Sequence, residues 1–404
     1  MCLFSARFTF VPLLFALVPL ALGQSSIGSS DERLASKYFD EPALIAPSLD
    51  CRVKPVEPFL DFAFRFESGY VVRCPIREFE GKESTVLVFL RITPEGQSPV
   101  LLGEPYRLPA ASDAVRSRTN ILRMKDNFEF SGGFAAGEGH YRCEVLVVDK
   151  RSNRMYRTSW NASPALKRSE RHVPLAIKAN TVESMTSLPW KGPSSNGDSG
   201  FRVTVLLDVA PIYPYATKLR AWDRAFLLTT LSSSLAQIDC KSVKLVAFNL
   251  EQQKVVFSTN DFQPSAIPDL NYAMRSLELA KVSYQILQHP QGTSELLVNL
   301  AKQEKGESGS SEVVIFLGPQ TRFFQKVPRD AIQPSGANPV FFYLEYMPPW
   351  VRGAEFPDTI EYLTKALAGT SFKIHSPDEL ATAIKKIGLE TRQAENKRNG
   401  VGSP

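Results

Sequence analysis

The side chains that usually carry catalysis are few and scattered in this sequence of 404 residues. The histidines His140, His172, His289 and His375 lie far apart, and no two have the spacing of a zinc site. A serine hydrolase needs a base within reach of its serine, and His289 and His375 are the candidates because both fall in the C-terminal α/β segment defined below. No phosphate-binding loop, nucleophile elbow or dinucleotide-binding glycine pattern occurs. The sequence therefore favours a non-enzymatic protein, with a hydrolase that uses His375 or His289 as an alternative.

Cysteine is the other residue type with distinctive chemistry here, and its number permits disulfide bonds. Cys2 precedes the first apolar run, and four cysteines follow it, Cys51, Cys74, Cys143 and Cys240. Four cysteines allow three pairings, and the sequence alone does not decide among them. Cys240 follows a long helical pattern, where we expect a buried, unpaired thiol rather than a nucleophile.

Two segments place a tyrosine and a cysteine on predicted strands. Residues 139–143 (GHYRC) resemble the immunoglobulin-type strand in which Tyr lies two residues before Cys, and residues 70–74 (YVVRC) are a candidate partner strand. The resemblance implies a Cys74–Cys143 disulfide between two packed sheets. Pairing of Cys51 with either cysteine, and free thiols, remain alternatives. No Trp lies between Cys74 and Cys143, so the sequence supports a β-sandwich more firmly than an immunoglobulin domain.

The N-terminus has the pattern of a secretory signal peptide over residues 1–23. Arg7 supplies the positive charge, residues 8–22 form an apolar run, and small residues precede a cleavage site at Gln24. The alternative is an uncleaved anchor, although the run is short and contains prolines. No later segment has 18 consecutive apolar residues. We predict an exported, periplasmic or secreted protein that has no membrane span after cleavage.

Composition and charge are those of an ordinary globular protein, with 43% hydrophobic and 22% charged residues. The net charge is +5, and Lys and Arg are scattered among Asp and Glu. Nucleic-acid binding requires a concentrated basic face, so we do not expect nucleic acid as a partner.

The chain divides into two predicted domains. Residues 24–48 begin with small polar residues, which predicts a flexible leader. Residues 49–165 contain short strands separated by Gly and Pro turns, the pattern of an antiparallel β-sandwich; the clearest strands are 85–92 and 141–148. Residues 166–200 are rich in Pro, Ser and Gly, which predicts a linker.

Residues 201–390 alternate apolar runs with helical patterns. This alternation predicts a doubly wound, mostly parallel, Rossmann-like α/β sheet that is covered on both faces. The predicted strands are 201–207, 243–248, 254–258, 312–317, 340–344 and 372–374, and the predicted helices are 215–238, 269–287, 294–303, 358–367 and one that begins at Ser376. Residues 391–404 are polar and predict a disordered tail.

Motifs within residues 201–390 are similar to those of a von Willebrand factor A domain. An apolar strand ends in Asp208 (VTVLLDVA), and residues 289–297 (HPQGTSELL) are similar to the family's Gly-Gly-Thr-x-Leu turn. Residues 312–319 (EVVIFLGP) stand where the family has a strand that ends in Thr-Asp-Gly. Residues 363–387 are the most specific part, since they match the family's final helix, Gly, short strand and capped helix. The resemblance covers about half of the chain and implies a von Willebrand A-type sheet.

In that family a divalent cation is held at the carboxyl edge of the sheet by an Asp-x-Ser-x-Ser turn, a Thr and a third-loop Asp. Asp208 and Thr293 match, but the two Ser positions fall on Ala210 and Ile212, and the third-loop Asp falls on Gly318. Mg²⁺ requires several oxygen ligands, so the resemblance implies a site without metal or cofactor. In a site without metal, Asp208 is simply the last residue of a strand, and Thr293 is the N-terminal cap of a helix. The alternative is a cation-dependent adhesion module that uses Asp208 and Thr293.

The same edge could bind a protein partner without a cation. Ile212, Tyr213 and Tyr215 fall at this edge in the resemblance, and Tyr346 and Trp350 follow a buried strand. Aromatic residues are enriched in protein interfaces, although local packing would also explain these five. The sequence predicts a protein-binding or scaffolding protein whose partner and oligomeric state it does not identify.

Overall fold

The structure is a computed structural model. It describes residues 25–26, 29–40, 48–79, 82–110, 126–193, 200–213, 216–279, 286, 288–289, 291–306, 311–327, 339–347 and 356–398. The predicted signal peptide, Tyr215 and Trp350 lie outside the described residues.

The N-terminal half is built from antiparallel strands. In chain order these are β1 (Ser25–Ser26), β2 (Arg52–Leu60), β3 (Phe66–Pro75), β4 (Ser84–Pro94), β5 (Val100–Leu108), β6 (Asn127–Ala136), β7 (Tyr141–Asp149), β8 (Met155–Ala162) and β9 (Val182–Glu183). Within the described ranges they form a front sheet in the order β1-β5-β4-β7-β8 and a back sheet in the order β2-β3-β6-β9. The predicted all-β content of this half is confirmed.

The two antiparallel sheets share one core because alternate residues of their strands are apolar. Tyr70 and Val72 of β3 pack with Val88 and Leu90 of β4 in this core. The Tyr141 hydroxyl donates hydrogen bonds to the carbonyl oxygens of Gly137 at 3.0 Å and Thr181 at 3.3 Å. These bonds fix the turn before β7 and attach the segment around Thr181 to the sandwich.

The disulfide bond joins Cys51 to Cys74, so the predicted Cys74–Cys143 bond is wrong. Arg52 of β2 pairs with Arg73 of β3, which places Cys51 and Cys74 side by side in the back sheet. Cys143 lies in the front sheet and is a buried free thiol. Adjacent strands of one sheet bring the two sulfurs together, and a sequence pattern cannot specify that register.

Residues 29–40 form a helix rather than the predicted flexible leader. Helix α1 (Ser29–Asp40) places Ala35 and Phe39 against the outer face of the front sheet. The two residues are four apart and therefore lie on the same side of the helix. The segment is mostly polar, so its few apolar residues gave only a weak sequence signal for a helix.

The part of the predicted linker up to residue 193 is also packed against the two domains. Val182–Glu183 forms β9 on the edge of the back sheet. Trp190 is buried and stacks on Phe262 of the second domain, with ring centroids 5.3 Å apart. Buried side chains in this segment hold the two domains together.

The C-terminal half is a mixed α/β sheet, as predicted. Its strands are β10 (Phe201–Asp208), β11 (Cys240–Asn249), β12 (Lys254–Thr259), β13 (Val313–Pro319), β14 (Val340–Tyr346) and β15 (Thr370–Ile374). Its helices, within the described ranges, are α2 (Ala221–Gln237), α3 (Ile267–Arg275), α4 (Gly292–Gly306), α5 (Thr359–Ala366) and α6 (Pro377–Arg398). The strand order is β12-β11-β10-β13-β14-β15, and β12 pairs antiparallel with β11 while the other pairs are parallel.

Helices cover both faces of this sheet, which explains why its central strands are continuous apolar runs. Val205 and Leu207 of β10 face the core formed with α2, α3 and α6. Leu206 faces the opposite core, formed with α4 and α5. Cys240 is a buried free thiol at the start of β11, as predicted. Helix α6 continues to Arg398, so the predicted tail from residue 391 is helical through that residue.

A turn of the sandwich enters the α/β core. The chain between β2 and β3 places buried Phe64 in that core, and Phe62 packs edge-on against Phe226 and Tyr346 with centroids 5.2 and 5.7 Å away. The Asp61 carboxylate accepts hydrogen bonds from the backbone N–H groups of residues 63 and 65 and pairs with the Arg65 guanidinium at 3.0 Å. This turn fixes the sandwich against the α/β domain.

Candidate functional site

The strand order creates a crevice at the carboxyl ends of β10 and β13. The chain leaves β10 toward α2 on one face, whereas α4 and α5 cover the other face. Ligands of open α/β sheets bind where the direction of winding changes in this way. Asp208 ends β10 and Gly318 lies at the end of β13, so this edge is the candidate site.

Asp208 is the most unusual residue of the edge. It is 1% exposed, and neither carboxylate oxygen has a hydrogen-bond partner among the described residues. Burial, followed by the nearby carboxyls of Asp358 and Glu251, raises the pKa of Asp208 well above its ordinary range. A buried carboxyl without partners is more stable in its neutral form.

Thr293 is buried nearby at the start of α4. Its hydroxyl donates a hydrogen bond to the carbonyl oxygen of Leu250 at 3.4 Å. Leu250 lines the same small cavity as Asp208. The structure therefore brings Asp208 and Thr293 to one region of the edge.

The positions of Gly318 and Ile212 are closed to further oxygen ligands. A Cβ added to Gly318 would lie 2.8 Å from the Asp208 Cβ and 3.1 Å from the Asp208 carbonyl oxygen, so a larger residue does not fit without movement. Ile212 is buried, and its backbone N–H donates to the Asp223 carboxylate at 3.0 Å. The cavity lined by Asp208 and Ala210 measures about 10 Å³, enough for about one water molecule.

Three further acids lie at this edge and were not predicted from the sequence: Asp358 and Glu251 are near Asp208, and Glu345 is near Asp358. Asp358 caps α5 and accepts hydrogen bonds from the backbone N–H of Glu361 at 2.8 Å and from the Tyr343 hydroxyl at 3.0 Å. Burial, then Asp358, raises the pKa of Glu345 to about 8. Burial also raises the pKa of Glu251, against the opposing effect of Arg322 at 3.2 Å. In the sequence, Glu345 lies near the end of the apolar run of β14, and that position was the available signal for this residue.

These acids are poorly suited to hold a divalent cation. Metal ligands must be deprotonated, whereas Glu345, with a pKa of about 8, is mostly protonated at pH 7. Asp208, Glu345 and Asp358 are all fully buried, so a substrate cannot touch them in this conformation. Within the described ranges, no three His, Cys, Asp or Glu side chains are arranged to hold a metal ion. The arrangement favours a closed, largely neutral edge.

Two of the five predicted partner-binding residues are buried, which corrects that prediction. Tyr346 packs inward on Phe226 and is 1% exposed, and Ile212 is also buried. Tyr346 points inward because it continues the alternation of Phe342 and Leu344 on β14. Tyr213 remains 37% exposed.

Two exposed aromatic residues at the same edge were not predicted. Phe324 is 52% exposed in the loop after β13, and Phe356 is 64% exposed before α5. The two segments are joined where the backbone N–H of Thr359 donates to the carbonyl oxygen of Phe323 at 2.9 Å. Adjacent Phe residues in the polar segment 321–326 were the sequence signal for this feature.

The two candidate catalytic histidines lie outside the described strands and helices. The Nδ1 atom of His375 is 2.8 Å from the carbonyl oxygen of Met347. His289 is exposed, and its carbonyl oxygen accepts a hydrogen bond from the Gln253 side chain at 3.1 Å. In the part of the chain that the structure describes, neither imidazole is hydrogen-bonded to a serine, threonine or cysteine.

Comparisons with known proteins identify no family. No family model and no curated protein matches the chain. Among solved structures, the ApaA protein from Bordetella pertussis is 12% identical, with a TM-score of 0.17, over 30% of this chain and 100% of its own. β-Glucuronidase 2 from Bacteroides uniformis is 9% identical, with a TM-score of 0.20, and the chain spans 79% of its own length but 38% of that enzyme. A family 123 glycoside hydrolase from Clostridium perfringens is 8% identical, with a TM-score of 0.22, over 79% of this chain and 66% of the hydrolase. These scores are too low to support an argument about function.

Among the described helices, none has the length and apolarity needed to cross a bilayer.

Proposed function

We propose that the chain is an exported, non-enzymatic protein-binding protein, built from an immunoglobulin-like β-sandwich and a von Willebrand factor A-like domain that works without a bound cation. The Cys51–Cys74 disulfide supports export, since disulfides persist in oxidising compartments. The order of strands supports the second domain type. Numbered from β10, it is 3-2-1-4-5-6, a doubly wound order with its crevice at Asp208.

The closed carboxyl edge is the observation that carries the proposal. A cation-dependent adhesion site needs several oxygen ligands and one open position for the partner's carboxylate. Here Asp208 is buried beside a cavity of about 10 Å³, and Gly318 packs directly on it. A partner of this edge therefore contacts side chains rather than an ion.

Thermal unfolding with and without divalent cations tests this proposal. Ligands that bind the native state raise its stability, so wild-type protein should melt at the same temperature in EDTA and in millimolar Mg²⁺ or Mn²⁺. Asp208→Asn keeps the shape of the side chain and should also be insensitive to the cations. A rise of several degrees in the wild type that disappears in Asp208→Asn would instead establish the cation-dependent adhesion module.

The exposed aromatic residues of the edge supply the contact surface in this proposal. Phe324, Phe356 and Tyr213 lie on loops at the carboxyl ends of the strands or beside them. Exposed aromatic anchors are the residues that dominate protein interfaces. The surface combines large apolar contact area with the exposed, positively charged Arg322.

Affinity capture from the exported fraction tests this surface. A partner retained by wild-type protein should be lost when Phe324 and Phe356 are both replaced by Ala. Tyr272→Ala is the matched control, since Tyr272 is 74% exposed on α3, away from the edge loops. Equal capture by the double variant and by the control would refute the role of the aromatic pair.

A further inference from the structure

The loop that follows β13 exposes every second side chain. Within residues 321–327 the exposed side chains are Arg322, Phe324 and Lys326, and the other four are buried or half-buried. Alternation with a period of two is typical of an extended chain, which rises about 3.3 Å per residue. The three exposed side chains, which we call the basic row, therefore carry a cation at each end, up to about 13 Å apart, and an aromatic ring between them.

The first turn of α5 fixes this loop through the residues between those of the basic row. The Asp358 carboxylate accepts a hydrogen bond from the backbone N–H of Thr321 at 2.9 Å. The Thr359 hydroxyl accepts one from the backbone N–H of Gln325 at 2.9 Å, and its N–H donates to the carbonyl oxygen of Phe323 at 2.9 Å. The basic row is therefore held in place before any partner binds.

The backbone of the basic row is open on its other side. Successive peptide groups of an extended chain point to opposite sides, so the bonds to α5 leave the groups of the basic row directed away from that helix. Among the described residues, the backbone N–H and carbonyl groups of Arg322, Phe324 and Lys326 have no hydrogen-bond partner. An open edge of this kind can pair with an extended peptide.

The exposed charge of the loop is positive. Residues 320–327 contain no acid. The side chain of Arg322 is 42% exposed and uses its Nε atom to pair with Glu251, which leaves its two terminal amino groups available to a partner. Lys326 has no ion pair within the described ranges. The acids of the same edge, Asp208 and Asp358, are buried, and burial raises the pKa of each. The edge therefore presents its cations and conceals its carboxyls, which is complementary to an acidic partner.

The number and spacing of these groups favour a peptide over other acidic partners. Polybasic segments that bind anionic membranes carry about four to eight Lys or Arg residues, and nucleic-acid binding requires a concentrated basic face, so two cations are too few for either. An extended peptide places every second side chain on one face, which is also the period of the basic row. Phe356 is 64% exposed and accepts a hydrogen bond at its carbonyl oxygen from the Gln320 side chain, so it adds an apolar contact beside the row.

We propose that the basic row recognises an extended segment of the partner protein in which an apolar residue has acidic residues two positions before and two positions after it. The apolar side chain packs on Phe324 and Phe356, and the two carboxylates pair with Arg322 and Lys326. This inference rests on the proposed function and adds the chemistry of the partner.

Selection from a library of random linear peptides displayed on phage tests the proposal with the full chain as the immobilised target. Peptides with the acidic, apolar and acidic residues at alternate positions should be enriched on wild-type protein. The double variant Arg322→Gln/Lys326→Gln should not enrich them. The matched control is Arg392→Gln/Lys397→Gln, which removes two exposed cations from the C-terminal part of α6 and should enrich the same peptides as wild type.

An enriched peptide, labelled with a fluorophore, gives dissociation constants by polarisation. The double variant of the basic row should bind it about tenfold more weakly than wild-type protein, and the control should bind it equally well. Higher salt should weaken binding to wild-type protein, because exposed ion pairs are screened. Melting temperatures equal to that of wild type establish that both double variants are folded.

Enrichment of peptides without acidic residues, no enrichment at all, or equal enrichment on both double variants would overturn the proposal. So would cosedimentation of wild-type protein with phosphatidylglycerol vesicles that is lost in the variant of the basic row, since the row would then bind a membrane. The affinity capture described above separates this inference from the proposed function. A partner that is lost with the two Phe replacements but retained by Arg322→Gln/Lys326→Gln refutes the acidic segment alone, whereas a partner retained by both variants refutes the proposed contact surface as well.

Discussion

Replacing Glu345 with Gln should stabilise the protein at neutral pH and leave its stability at pH 4 unchanged. Glu345 is fully buried on β14, and burial, followed by the carboxyl of Asp358, raises its pKa from an ordinary 4.5 to about 8. The unfolded chain releases this proton near pH 4.5, but the folded chain keeps it until about pH 8. The contribution of this group to stability is therefore complete below pH 4.5 and is lost as the pH rises toward 8.

The size of the effect follows from the pH interval. One pKa unit corresponds to about 1.4 kcal/mol, so the interval from pH 4.5 to pH 7 amounts to roughly 3 kcal/mol. Gln has nearly the same shape and never ionises, so Glu345→Gln should recover about 2–3 kcal/mol at pH 7 after the cost of burying its amide. For a domain of this size that corresponds to a rise of about 5–10 °C in melting temperature.

Differential scanning calorimetry of the full chain at pH 4 and pH 7 measures this difference. The matched control is Glu395→Gln, which removes the same charge from an exposed position on α6 and should change the melting temperature little at either pH. A variant that melts like wild type at pH 7 would refute the assignment of a neutral, buried Glu345. So would an increase of the same size at pH 4, because no ionisation separates the folded and unfolded states there.

Three further predictions concern the packing of the edge, the contact between the two domains and the disulfide bond. Gly318→Ala should lower the free energy of unfolding, measured by urea titration, by about 1–3 kcal/mol, because the new Cβ would lie 2.8 Å from the Asp208 Cβ. Gly388→Ala is the control: this position on α6 is in open space, so the substitution should raise the free energy of unfolding by up to about 1 kcal/mol. Phe64→Ala should cost about 3–5 kcal/mol by the same measurement, because the buried ring joins the sandwich to the α/β core. Replacing both Cys51 and Cys74 by Ala should cost about 3 kcal/mol and abolish the sensitivity of the melting temperature to reducing agent, and a double variant that still responds to the reductant would contradict the assigned bond.

Local sequence patterns were sufficient to predict most of the strands and helices. The apolar runs of β10 and β4 predict strands because strands that are largely buried need apolar residues throughout. The order of strands and helices after residue 200 predicts a mostly parallel sheet for the same reason. Helix α1 and the packed segment before residue 193 were missed, because a few apolar side chains in polar surroundings give a weak local signal.

The sequence predicted two residues of the candidate site, but it did not predict that the carboxyls there are buried and neutral. Asp208 and Thr293 were identified from motifs, and the structure brings both to the same edge. Asp358 lies near both Asp208 and Glu345, and its approach to Asp208 joins segments more than 100 residues apart in the chain. No local pattern specifies which distant carboxyls meet, or that burial keeps them neutral.

The sequence by itself determined most of the strands and helices, since these depend on the identity and spacing of neighbouring residues. Only the tertiary structure decided that Cys51 rather than Cys143 bonds to Cys74, that Tyr346 is buried while Phe324 and Phe356 are exposed, and that Gly318 closes the edge over Asp208. These outcomes depend on strand register and on contacts between distant segments, where a difference of one residue moves a side chain to the opposite face.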